Sequence, residues 1–143
     1  MSQNESAGTV SNSQFEQLRE LALAVAAKAY APYSGFRVGA AVLLEDGRTS
    51  QGCNVENASY RLTTCAEQAA ISSAVALYGP AIRIRTVVIV NLNQSACQPC
   101  GACRQTIQEF SSHDTLVCFP AEDGQMTQST IAALLPHAFV LAE

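Results

Sequence analysis

The chain has 143 residues, of which 48% are apolar and only 14% are charged, and its formal net charge at pH 7 is −4. This balance disfavours binding to nucleic acid, because an acidic protein offers no positive field to phosphate backbones. No stretch approaches the roughly 20 apolar residues of a membrane span, and the polar start of the chain does not have the pattern of a signal peptide.

The length favours one domain, which we place at residues 13–143. Residues 1–12 are rich in Ser, Asn and Gln and are predicted to form a disordered tail. Because about a quarter of a typical chain is charged, the low charged fraction here indicates apolar surface that is buried between subunits. Composition therefore predicts self-association.

The hydrophobic pattern predicts an alternation of helices and strands. In chain order we expect a helix over 13–30, strands over 36–44 and 49–55, a helix over 64–78, a strand over 84–92, a helix over 100–110, a strand over 115–120 and a short helix over 130–135. The run at 84–92 is almost continuously apolar, which is typical of a central strand covered on both faces. The order predicts an α/β fold, a three-layer α/β/α sandwich with a mixed five-stranded sheet.

Six cysteines without a secretion signal indicate a reduced, cytoplasmic protein in which some thiols bind metal. Cys100 and Cys103 lie three residues apart at the start of a predicted helix, so both thiols share one face. Pro99 suits that helix start, and the helix dipole favours thiolates there. Taken alone, the pair is ambiguous, because a redox motif of thioredoxin type or two ordinary thiols would have the same spacing.

Cys65 is a candidate third ligand, because it too lies at a predicted helix N-terminus. If both helices pack on the same face of the sheet, their N-termini can converge. Three thiolates with one open coordination position are typical of catalytic zinc, whereas structural zinc sites are closed by four protein ligands.

The remaining thiols and imidazoles are not expected to bind the metal. Cys97 falls outside the predicted helix, because the proline two residues later keeps the chain extended before it. Cys53 and Cys118 lie in predicted strands and are expected in the core. His113 and His137 are expected on the surface.

Glu67 has two interpretations. With Thr64 it fits a capping box, in which its carboxylate would only close the helix. Residues two apart do not share a helical face, so Glu67 would lie beside the metal held by Cys65 rather than bind it. In zinc deaminases a ligand-x-Glu segment precedes Pro-Cys-x-x-Cys, and that glutamate moves protons. Cys65, Glu67 and the segment 99–103 match this spacing.

Five segments of the chain stand out together: APYSGFRVGAA at 31–41, GCNVENASY at 52–60, CAE at 65–67, PCGACRQ at 99–105 and LLPHAF at 134–139. With these segments the chain resembles, over about residues 14–140, the small, homotetrameric, zinc-dependent cytidine deaminases. This resemblance implies one zinc ion per subunit, held by Cys65, Cys100 and Cys103, with Glu67 as the proton shuttle. The implied reaction converts cytidine and 2′-deoxycytidine into uridine and 2′-deoxyuridine, with release of ammonia, in cytoplasmic pyrimidine salvage.

The same resemblance implies the contacts with the nucleoside. Asn54 and Glu56 would bind the ribose hydroxyls, Phe36 would pack on the pyrimidine, and the backbone of Ala66 would hydrogen-bond to the base. Two further residues match positions that the family contributes to a neighbouring subunit's site, namely Tyr60 and Phe139.

Gln68 departs from the family pattern, since many members have arginine at this position. A zinc ion with three thiolates carries a net charge of about −1, which an arginine would neutralise and a glutamine does not. Two helix N-termini, each worth roughly +0.5 charge, compensate in part, and a neutral amide still donates hydrogen bonds to sulfur. The hypothesis is that Gln68 gives a less electrophilic metal and a looser pocket that admits N4-substituted cytidines.

Three other readings stay open. A blasticidin-type aminonucleoside deaminase shares the zinc motif, although the segment 54–57 and Phe139 favour ordinary nucleosides. A deaminase that edits nucleic acid is disfavoured by the acidic charge. A non-catalytic zinc-binding interaction module would need neither an open coordination position nor Glu67.

Overall fold

The structure is a computed structural model that describes residues 10–141. Its strands are β1 (Val38–Leu44), β2 (Thr49–Cys53), β3 (Ile84–Asn91), β4 (Ser111–Pro120) and β5 (Met126–Thr130). Its helices are α1 (Asn12–Ala26), α2 (Ala66–Tyr78), α3 (Gly101–Glu109) and α4 (Ile131–Leu134), with a short 3-10 turn at Tyr60–Leu62. Part of the predicted tail, residues 1–9, lies outside the described residues.

The five strands form one mixed sheet in the order β2-β1-β3-β4-β5. Strands β3 and β4 are parallel, and the other neighbouring strands are antiparallel. Because side chains alternate between the two faces of a strand, β1 contributes to two separate clusters. Ala40, Val42 and Leu44 pack with residues of α2, α3 and α4, whereas Ala41 and Leu43 pack with α1. The predicted α/β/α sandwich with a mixed five-stranded sheet is confirmed.

The first helix differs from the prediction at both ends. It begins at Asn12 rather than at residue 13, and the side chain of Ser11 accepts the capping hydrogen bond from the backbone of Gln14. It ends at Ala26 rather than at residue 30, because Tyr30 is extended and forms a parallel bridge with Val55.

The later elements differ mainly at their boundaries. Strand β4 begins at Ser111 rather than at 115, since Ser111 pairs with Ile84 across an irregular stretch of the β3–β4 ladder. Strand β5 has the polar sequence MTQST and no buried position, so its hydrophobic pattern gave no strand signal. Within residues 10–141, none of the helices has the length and apolar character that crossing a bilayer requires.

Two glycines let the helices approach the sheet closely. A Cβ atom added to Gly52 in β2 would lie 2.4 Å from the backbone nitrogen of Ala70 in α2. One added to Gly39 in β1 would lie 2.0 Å from the carbonyl oxygen of Ala22 in α1. No side chain fits at either position unless the helix moves, so Gly52 fixes the distance between β2 and α2.

Replacement of Gly52 by alanine is expected to lower the free energy of unfolding by about 1–3 kcal/mol, because the added methyl group overpacks the interface with α2. Urea unfolding followed by circular dichroism measures this change. The matched control is Gln51→Ala, at an exposed position of the same strand, which is expected to change stability by less than about 0.5 kcal/mol. A Gly52→Ala protein as stable as the parent would contradict the close approach.

Candidate active site

Three thiols meet at the N-terminal ends of α2 and α3. The sulfur atoms of Cys65, Cys100 and Cys103 all lie within 4.8 Å of one another. Cys65 is the N-cap residue of α2, Cys100 is the N-cap residue of α3, and Cys103 is buried in the first turn of α3. The predicted convergence of two helix N-termini is therefore confirmed.

This donor set fits a zinc ion. Sulfur is a favoured ligand of zinc, and two helix N-termini stabilise the negative charge of the thiolates. Among residues 10–141, no fourth histidine, cysteine or carboxylate joins the cluster. Three protein ligands leave one coordination position for a water molecule or a substrate, which is the arrangement of catalytic zinc sites.

Cys65 and Cys103 differ in acidity. The pKa of Cys65 is lowered to about 7, chiefly because the Cys103 thiol hydrogen-bonds to it, with a second contribution from Cys100. The pKa of Cys103 is raised, since it donates that hydrogen bond and is itself buried. Cys65 is therefore the first of the two to become a thiolate.

Glu67 is a buried carboxyl group beside the thiols. Its residue is 5% exposed, and burial raises its pKa, partly offset by its own backbone N–H and by a hydrogen bond from Cys103. The negative charge of Glu67 also tends to raise the pKa of Cys65, so the carboxylate lies close enough to the thiols to influence their ionisation. A carboxyl group of raised pKa next to a metal site is suited to proton transfer.

The capping box predicted for Thr64 and Glu67 is wrong by one residue. The box is formed by Cys65 and Gln68: the Gln68 side-chain oxygen accepts from the backbone N–H of Cys65 at 3.4 Å, and the Gln68 backbone N–H donates to the Cys65 sulfur. Gln68 thus reaches the sulfur through its backbone, not through the side-chain amide as expected. Glu67 has no part in this box.

Asn54 and Glu56 hold the segment that carries Phe36. Asn54 is 8% exposed; its side-chain oxygen accepts from the Val38 backbone at 2.9 Å, and its amide donates to the Phe36 carbonyl at 2.8 Å. One oxygen of Glu56 accepts from the backbones of Tyr33 and Ser34, at 3.0 and 3.1 Å. Phe36 is half-buried and packs against the core. No pattern in the sequence indicated these contacts.

Tyr60 and Phe139 are both strongly exposed, at 78% and 69%. The carbonyl oxygen of Phe139 accepts from the side chain of Gln105 in α3 at 3.0 Å. Ala66 is buried and directly follows Cys65 as the first residue of α2. A groove of about 460 Å³ lies beside Glu56, and it is lined by Tyr33, Ser34, Glu56, Tyr60 and Thr63.

Arg104 is a structural residue of the site to which the sequence reasoning assigned no role. Its guanidinium group donates to the carbonyl oxygens of Pro99 at 2.8 Å and Leu134 at 2.9 Å, and to the Gln98 side chain at 3.0 Å. It therefore fixes the loop before Cys100 against the end of α4. Its position directly after Cys103 was the only available signal.

The residues set aside as metal ligands lie outside the cluster. Cys97 is half-buried, its backbone N–H donates to the Pro120 carbonyl at 3.0 Å, and burial raises its pKa to about 11. Cys118 is buried in β4, Cys53 is half-buried at the end of β2, and both histidines are exposed. The burial of Cys118 in the core and the exposure of both histidines are confirmed, whereas the core position expected for Cys53 is wrong, because it ends β2 and is only half-buried.

An α/β fold with three thiols at two helix N-termini is typical of a zinc-binding enzyme domain. The chain belongs to the cytidine deaminase family, since residues 12–119 match the model of the cytidine and deoxycytidylate deaminase zinc-binding region. The thiols of Cys65, Cys100 and Cys103 are the zinc site of this family member.

Several known proteins are similar to this chain over most of their length. A cytidine deaminase of Sporosarcina psychrophila is 42% identical over 113 residues, which cover 78% of this chain and 81% of that protein. The crystal structure of cytidine deaminase from Mycobacterium tuberculosis superposes with a TM-score of 0.78 at 41% identity, covering 89% of this chain and 98% of that one. The corresponding structure from Burkholderia pseudomallei gives 0.78 at 42% identity, covering 87% and 98%.

Proposed function

We propose that this protein is a zinc-dependent hydrolase that deaminates cytidine and 2′-deoxycytidine to uridine and 2′-deoxyuridine, with release of ammonia. The observation that carries the proposal is a buried carboxyl group, Glu67, beside three convergent thiols. Pyrimidine salvage in the cytoplasm is the proposed setting, because thiols that hold a metal require a reducing compartment.

Proton transfer is the role proposed for Glu67. Zinc, when bound by the three thiols, activates a water molecule for attack at C4 of the pyrimidine. Burial raises the pKa of Glu67 above that of a free glutamate, which favours the uptake of a proton by its carboxylate. In this scheme Glu67 would take a proton from the attacking water and give it to N3 of the ring, then take the proton of the new hydroxyl group at C4 and give it to the amine, which leaves as ammonia.

The nucleoside contacts are proposed from the positions of the matching residues. Asn54 and Glu56 lie on the segment after β2 and would face the ribose, and Phe36 would stack on the pyrimidine. Asn54 still has one N–H that the hydrogen bond to Phe36 does not use. The backbone of Ala66, next to Cys65, would hydrogen-bond to the base.

A homotetramer with shared sites is the proposed assembly. Exposed large apolar side chains are concentrated near the groove beside Glu56 and in the C-terminal segment, which is the kind of surface that association buries. They include Tyr30, Tyr33, Val55, Tyr60, Leu62 and Phe139. Tyr60 and Phe139 would each complete the site of a neighbouring subunit.

Ammonia release from cytidine by the purified, zinc-loaded protein tests the proposal. We expect ammonia and uridine in equal amounts. A protein that binds zinc but releases no ammonia from cytidine would be the non-catalytic module. Release from blasticidin S alone would identify the aminonucleoside deaminase instead.

Gln68 is proposed to widen substrate choice toward N4-substituted cytidines. Its side chain adds no positive charge near the thiolates and is committed to the backbone of Cys65. Replacement by arginine is expected to raise activity on cytidine relative to an N4-alkyl cytidine, and kcat/KM for the two substrates measures this ratio. An unchanged ratio would contradict the proposal. The control for the added charge is Gln14→Arg, at an exposed position of α1.

A further inference from the structure

Hydrogen bonds hold both backbone polar groups of Phe36, its carbonyl oxygen and its N–H. The Phe36 carbonyl accepts from the Asn54 amide at 2.8 Å, and the Phe36 N–H donates to the Ser34 hydroxyl oxygen at 2.9 Å. The Ser34 hydroxyl in turn donates to the second carboxylate oxygen of Glu56. Ser34 therefore stands between Glu56 and Phe36.

A hydroxyl group suits this position because it donates one hydrogen bond and accepts others at the same atom. Donation to an ionised carboxylate is stronger than a bond between neutral groups. The Ser34 hydroxyl is also the main reason that the pKa of Glu56 is lowered, so the carboxylate remains ionised as an acceptor. The turn itself uses Gly35, whose φ of +69° few other residues adopt.

We propose that Ser34 is a positioning residue that couples Glu56 to Phe36, so that recognition of the ribose and stacking on the base are not independent. The inference rests on the proposed function, in which Glu56 faces the ribose and Phe36 faces the pyrimidine. A ligand group that fixes the Glu56 carboxylate also fixes the Ser34 hydroxyl that donates to it. Because the Phe36 N–H donates to that hydroxyl, the backbone of Phe36 is fixed as well.

A double-mutant cycle on the zinc-loaded protein tests this coupling. Ser34→Ala is expected to raise KM for cytidine about tenfold, the scale of one lost hydrogen bond to a charged group, with a smaller change in kcat. In a Phe36→Ala background the same substitution is expected to leave KM unchanged, because the side chain that Ser34 positions is gone. Ser34→Thr keeps the hydroxyl and is expected to restore the parent KM.

The matched control is Ser112→Ala. Ser112 is a surface serine that also donates to a carboxylate, that of Asp114, on β4 away from the site. It is expected to leave KM and zinc content unchanged. An equal rise in KM from Ser34→Ala in both backgrounds would mean a general structural effect and would overturn the proposal, as would a Ser34→Ala protein with the parent KM.

A second measurement does not depend on turnover. The chain has no tryptophan, so Phe36→Trp introduces a single fluorescent reporter. Adding Ser34→Ala to that protein is expected to increase quenching by acrylamide, because the released segment exposes the indole. Unchanged quenching would refute the positioning role. If the parent releases no ammonia from cytidine, the proposed function fails while the quenching comparison still decides the role of Ser34.

Discussion

Replacement of Glu67 by glutamine is expected to lower kcat for cytidine by about 10²–10⁴-fold, the usual contribution of a general acid–base group. Glutamine has nearly the same shape and fits the same buried position, but it does not take up or release a proton near neutral pH. Because Glu67 lies outside the three-thiol cluster, one zinc ion per chain should remain bound. Steady-state kinetics and metal analysis of the same preparation measure both quantities.

The control for this substitution is Glu109→Gln. Glu109 is an exposed carboxylate at the end of α3, so the variant loses the same charge without touching the site. Its kcat should equal that of the parent. A Glu67→Gln protein that loses zinc but keeps its turnover per bound metal would show that Glu67 serves the metal and not proton transfer.

Replacement of Cys103 by serine is expected to weaken zinc binding by more than about 100-fold and to abolish turnover. Loss of a group outside the ligand shell already costs about 10–100-fold, and Cys103 is a ligand itself. Competition with a chelator measures the affinity.

Cys118→Ser is the matched control, because Cys118 is also a buried thiol but lies in β4 outside the cluster. This variant should lose some stability through burial of a hydroxyl group and still bind one zinc ion per chain. Equal zinc affinity in the Cys103→Ser protein and in the parent would contradict the assigned ligand set.

The zinc ligands could be predicted from the sequence because most of their geometry is set by residues close together in the chain. Cys100 and Cys103 share a face through the helical period alone. The approach of Cys65 needed one further assumption, that α2 and α3 pack on the same side of the sheet. Ala70 of α2 and Ile107 of α3 belong to the same core cluster, so the assumption is correct.

The helix start at Cys65 shows where local reading fails. Thr64 with Glu67 and Cys65 with Gln68 are two possible capping boxes, shifted by one residue. The tertiary structure selects the second, because Thr64 is held in an extended bridge by two backbone hydrogen bonds with Val55, at 2.8 and 2.9 Å. The Thr64 N–H already donates to Val55, so it is not available to the Glu67 carboxylate as a capping box requires, and no local pattern reveals the pairing.

The contacts of Glu56 could not be predicted from the sequence, for a related reason. Its partners, Tyr33 and Ser34, lie 23 and 22 residues earlier in the chain. The sheet brings the two loops together through the pairing of β1 with β2, and the exchange of backbone bonds between Tyr30 and the segment after β2 completes the approach. A motif such as Asn-x-Glu indicates chemistry but not which backbone its side chains hold.

The most direct test of the account measures uridine formed from cytidine and zinc bound per chain in one preparation of the parent and one of Glu67→Gln. We expect one zinc ion per chain in both proteins, steady uridine formation by the parent, and a rate per bound zinc about 10²–10⁴-fold lower in the variant. Equal rates per bound zinc, or no uridine from a fully zinc-loaded parent, would contradict it.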